Sequence, residues 1–69
     1  MRYNRLKEVL DEEGITQKQL SFLCGLSVST INKICNNSIG RVGRATEAQI
    51  IGAINREVGQ PKYKGEDVF

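Results

Sequence analysis

The chain has 69 residues, 39% of them hydrophobic, with 10 Lys+Arg against 8 Asp+Glu and no histidine. That is one domain, 1–69, too small to surround an enzyme's pocket of about 300 Å³ or more. Without histidine, two cysteines can build neither a Cys/His zinc site nor a histidine-based catalytic arrangement.

Leu6, Val9 and Leu10 recur at helical spacing, Glu13 continues that face, and Gly14 stands where a helix-ending glycine belongs. The pattern predicts a first helix over about residues 2–13. Thr16-Gln17-Lys18-Gln19 reads as a capping box, with Ile15 and Leu20 as its hydrophobic staple. A second helix is therefore expected from Gln17 to Cys24, stopping at Gly25. Ser27 is the next N-cap, and Val28 to Cys35 form a third helix with Ile31 and Ile34 inward. Asn36-Asn37 should end it, because asparagine tolerates the left-handed conformation.

A loop is expected from Ser38 to Ala45. Thr46-Glu47-Ala48-Gln49 reads as a second capping box, opening a fourth helix that runs to about Glu57. Gly59-Gln60-Pro61 should end it. The tail, 59–69, is expected to be loosely structured, with a possible last turn at Glu66-Asp67-Val68-Phe69. No segment alternates like a strand. The expected fold is all-α, with four or five helices.

No apolar run approaches the ~20 residues of a membrane span. The N-terminus turns charged where a signal peptide needs its apolar core, so no membrane association and a cytoplasmic location are expected. Charge is unevenly spread. Residues 14–46 hold Lys18, Lys33, Arg41 and Arg44 and no acid, a charge of +4, while each flank carries −1. A basic island of this kind suggests an anionic partner.

Two short helices joined at Gly25, with Ser21 small where they cross and Leu26 dropping between them, make a helix-turn-helix unit over 17–35. The stretch resembles the lambda-repressor/Cro-like helix-turn-helix family of prokaryotic and phage transcription regulators. The resemblance rests on Gln17, Leu20, Ser21, Gly25, Leu26, Ser27, Ile31 and Ile34, and extends to Asn4-Arg5-Leu6-Lys7-Glu8 and Gly14-Ile15-Thr16-Gln17. It covers roughly residues 3–58 well and the tail loosely. One departure is Asn37, where relatives often place glycine.

The resemblance implies a domain that binds double-stranded operator DNA, with the helix 28–35 in the major groove. Carried over by position, Val28, Ser29, Asn32 and Lys33 are the expected base contacts. Valine can pack on a thymine methyl, serine can bond several base edges, and lysine can donate to guanine O6 and N7. Gln17, Lys18, Asn36, Arg41 and Arg44 are the expected phosphate contacts, Arg44 having the minor groove as its other option. Bland readings stand beside these. Lys33 and the loop arginines could be solvated charges, Val28 an idle surface residue, and Asn36 a helix cap.

The leading expectation is a sequence-specific transcription regulator that acts as a repressor and binds as a homodimer. The tail offers only Tyr63, Val68 and Phe69 for self-association, which leaves a solution dimer and pairing only on DNA both open. The alternative is an antitoxin-like or other protein-interaction module on the same fold, using Phe22 and the tail. Phe22 either tucks against the fourth helix or stands exposed for a partner. Cys24 is expected to pack in the core, Cys35 to be half-buried. Asp11, Glu12 and Glu13 splay around a helix and read as a solvated face. No enzyme activity, cofactor or small-molecule substrate is expected.

Overall fold

Five segments of the chain are helical in the computed structural model, which describes residues 4–37 and 42–69. The elements are α1 (Leu6–Glu13), α2 (Gln17–Cys24), α3 (Val28–Cys35), α4 (Arg44–Val58) and α5 (Gly65–Val68). No strand occurs among the described residues, so the fold is all-α.

The bounds of α2 and α3 are those the sequence predicts. The Thr16 backbone N–H donates to Gln19 Oε1 at 2.8 Å, and Gln19 N–H donates to Thr16 Oγ1 at 3.0 Å, closing the capping box. Gly25 turns the chain at φ 79°, a left-handed conformation that a side chain would strain. Ser21 does more there than stay small: its hydroxyl donates to the Leu26 carbonyl across the turn. Ser27 Oγ caps α3 by accepting from Thr30 N–H at 3.1 Å.

Asn37 takes φ 56°, the conformation a glycine would supply at that position. Its side chain explains why it can. Asn37 Oδ1 accepts from both the backbone N–H and the Nδ2 of Asn4, each at 2.9 Å. Asn4 Nδ2 also donates to the Ile34 carbonyl at 2.7 Å, filling an open acceptor in the last turn of α3.

The helix ends away from the motif depart from expectation. The first helix begins at Leu6 rather than near residue 2. Asn4 Oδ1 accepts from Leu6 N–H, and Arg5 N–H donates to the Val68 carbonyl at 2.7 Å, so the chain before Leu6 bonds outward. The fourth helix begins at Arg44, two residues before the expected cap at Thr46. The Gly43 carbonyl already accepts from Glu47 N–H, and Arg44 and Ala45 are good helix formers. Thr46 is thus inside the helix and caps nothing, and Arg44 belongs to α4 rather than to a loop.

Leu6, Leu20, Ile31, Ile34, Ile50 and Ile54 are the centre of the core, drawn from α1 to α4. Each such side chain stabilises the fold by about 1.5–3 kcal/mol when fully buried. The tail joins them. Val68 is buried, and Tyr63 and Phe69 pack partly against the core. The Asn55 side chain brackets Tyr63, donating to its carbonyl at 2.8 Å and accepting from its N–H at 2.9 Å. The three residues that sequence reasoning offered for self-association are therefore engaged within the chain. Cys35 is buried and Cys24 only partly so, the reverse of the expected order, and both thiols are free.

Candidate nucleic-acid interface

An eight-residue helix pinned by Ile31, Ile34 and Cys35 must turn its other side outward. Val28, Ser29, Asn32, Lys33 and Asn36 follow one another at that side, within an arc of about 140° at 100° per residue. All five are exposed. Val28 is 44% exposed, an apolar group on an otherwise polar stripe. No carboxylate lies on this stripe.

Gln17 and Lys18 open α2, ahead of its first intrahelical hydrogen bond, so their N–H groups face out with the positive end of the helix dipole. The structure links the two helices there. Asn32 Nδ2 donates to Gln17 Oε1 at 3.2 Å, and Asn36 Nδ2 donates to Asn32 Oδ1 at 2.9 Å. Three of the expected contact residues thus form one continuous amide chain across the outer edge of the motif.

Arg44 stands apart from these, exposed on the first turn of α4. Gly43 supplies no side-chain cap at that end. A cation at a helix N-terminus opposes the dipole and destabilises the helix by a few tenths of a kcal/mol or more, unless an anion is present. Arg41 lies outside the described residues.

The profile of the helix-turn-helix family matches residues 6–43, more than half of the chain. The chain belongs to the lambda-repressor/Cro-like helix-turn-helix family. It is accordingly a member of a family of DNA-binding regulators. No curated protein and no solved structure gives a match. The family match ends just before α4, so α4, α5 and the seam described below rest on the structure alone.

Two features escaped the sequence reading. One is Asn4, which closes the end of α3; its signal was an asparagine just ahead of an apolar helical run, hidden by starting the helix too early. The other is Glu13. Its carboxylate accepts from Lys62 Nζ at 2.6 Å and from the Tyr63 hydroxyl at 2.5 Å, so it is not part of a solvated face. Those two hydrogen bonds hold the Glu13 carboxyl below its ordinary pKa. Phe22 is 90% exposed, which excludes its packing under the fourth helix. Within the core, burial pushes the Cys35 thiol above its ordinary pKa, and Asp11 pushes it the same way against a smaller opposing effect of Lys7. Such a thiol is a poor nucleophile. No helix among the described residues is long and apolar enough to cross a membrane.

Proposed function

We propose that the chain is a sequence-specific regulator that binds double-stranded operator DNA and represses transcription by occupying it. The observation that carries this reading is the exposed, acid-free stripe of α3 beside the open N-terminus of α2. In this reading Val28, Ser29, Asn32 and Lys33 meet base edges. Gln17, Lys18, Asn36, Arg41 and Arg44 meet phosphates. The placement of Arg44 against the α4 dipole supports its part, since a phosphate would relieve the repulsion.

Two copies bind half-sites about one helical turn apart. Tyr63, Val68 and Phe69 are engaged in the fold, so the tail residues that could build a solution dimer are taken up, and in this reading pairing occurs on the DNA. Selection from random duplex DNA tests the reading. An enriched pseudo-palindrome is the expected result, and the absence of any enriched sequence overturns it. Three cationic phosphate contacts per protomer predict an affinity loss of about 40-fold per protomer between about 50 and about 200 mM salt.

A second reading, a protein-interaction module, is favoured by one observation, the 90% exposure of Phe22. Phe22→Ser separates the two. An unchanged operator affinity with loss of a co-purifying protein supports the module, and loss of neither leaves the regulator alone.

A further inference from the structure

Phe22 is 90% exposed, and neither the core nor the outer stripe of α3 uses it. A single exposed apolar side chain is ordinary. Phe22, however, lines an open groove between α2 and the end of α4. Leu23, packed partly against the core, lines the same groove, and so do the exposed Lys18 and Glu57. Lys18 and Phe22 are four residues apart and share one face of α2. Among the described residues the ion pairs join Arg5 to Glu8 and Lys62 to Glu13, so neither Lys18 nor Glu57 is in one. The groove thus combines a protruding ring, an apolar lining, a cation from α2 and an anion from α4.

A surface with both signs of charge around an apolar centre is complementary to itself. In a two-fold contact, if one residue of the first copy meets another of the second, the reverse contact forms as well. We propose that this groove is where two copies of the chain meet on one duplex, each Phe22 entering the other's groove and each Lys18 facing the other's Glu57. The proposal rests on the regulator reading above for the DNA that brings the copies together. A buried phenylalanine covers about 150–250 Å², so two rings and the groove surface opposite them come to about 1,000 Å² at most. Stable interfaces begin at about 1,200 Å². The contact is therefore weak in free solution and counts where two copies are already held side by side, at high effective concentration. A two-fold contact also restricts orientation. It joins copies on inverted half-sites and not on direct repeats.

The test uses the full chain and the half-site recovered by selection. Duplexes carry it singly, as inverted pairs in both orders over a series of spacings, or as a direct repeat. In one inverted order the second copy should bind about 5- to 150-fold more tightly than a single half-site does. The direct repeat should show no such gain. Phe22→Ser should abolish the gain and leave single half-site affinity unchanged. Glu57→Lys should reduce the gain, and adding Lys18→Glu to the same chain should restore it. The gain is read as a ratio to the single half-site, which cancels any phosphate contact that Lys18 loses. A gain independent of Phe22 in every arrangement, or none in any, overturns the contact and leaves the regulator reading standing. A DNA-free readout keeps the two apart. Sedimentation at millimolar concentration should show weak self-association of the wild type and none of Phe22→Ser. If the chain prefers no DNA sequence, the regulator reading falls, and a wild type that stays monomeric at that concentration then overturns the contact too. Loss of a co-purifying protein from Phe22→Ser, with no self-association of the wild type in either setting, assigns the groove to a foreign partner and likewise overturns it.

Discussion

The outer face of α3 and the seam between α1 and the tail are both polar, but they use their groups differently. On the seam, Glu13 is taken up by Lys62 and Tyr63, and Tyr63 is further held by Asn55. Charge there is matched within the chain. On α3, Lys33 has no carboxylate on its face, and Asn32 retains a donor and an acceptor beyond its two amide partners. A surface that closes on itself stabilises the fold, whereas one that leaves its donors open is available to a partner. The net charge of +2 conceals this division, because paired and unpaired charges count equally in it.

The strongest way to break the comparison is from beneath. Ile31 is wholly buried on the underside of α3. Ile31→Ala should destabilise the chain by about 2–5 kcal/mol. A domain of this size has only about 3–10 kcal/mol in total. Urea titration should show a large loss, and DNA binding should fall with the folded fraction. On the other side of the same helix, Lys33→Ala should leave the urea midpoint unchanged and relax specificity at one base pair by about 1–3 kcal/mol. A midpoint shift comparable to that of Ile31→Ala would mean the outer stripe is structural after all.

Legibility followed the same division. The bounds of α2 and α3 could be read because local signals agree: a reciprocal cap at Thr16, a serine cap at Ser27, a turn glycine at Gly25 and apolar residues at matching spacing. The start of α4 could not. Thr46-Glu47-Ala48-Gln49 has the letters of a capping box, but backbone bonding from Gly43 extends the helix past it. The onset of α1 was hidden because the bonds of Asn4 and Arg5 reach Ile34, Asn37 and Val68, far away in sequence. The candidate base contacts on α3 are nameable from the motif, and their exposure follows from the inward face of that helix. The amide chain through Asn32 is not, because side-chain partners separated by 15 residues have no periodic signature.

Two surface changes on α4 give smaller effects. Gly52 lies in the helix interior, exposed, with nothing within 4 Å of where a Cβ would stand. Gly52→Ala should therefore stabilise the fold by about 0.5–1 kcal/mol without touching DNA affinity. Arg44→Glu should set stability against binding. It replaces a cation by an anion at the helix N-terminus, a gain of about 0.3–1 kcal/mol. The same change puts a carboxylate against phosphate and should weaken every duplex. If it weakened binding and stability together, Arg44 would be a structural residue and the repulsion argument would fail.

The smallest effect belongs to the seam and is seen through pH. Glu13 is held below its ordinary pKa by Lys62 first and Tyr63 second, so the folded chain favours the carboxylate. The stability this contributes is complete above the ordinary glutamate range and is lost as pH falls through the lowered folded value. Lys62 and Tyr63 are both raised, chiefly by their hydrogen bonds to Glu13. Their contribution is complete below their ordinary values of 10.5 and 10.0 and is lost as pH climbs through the raised ones. The thermal midpoint should thus be flat through neutral pH and fall on both sides. Glu13→Gln keeps an acceptor for the tyrosine and the lysine but removes the charge. It should shallow the acid and alkaline limbs together, while operator affinity at neutral pH stays as it was. Shallowing of the acid limb alone would show that Lys62 and Tyr63 titrate independently of Glu13, and the seam would then be a set of contacts rather than one linked cluster.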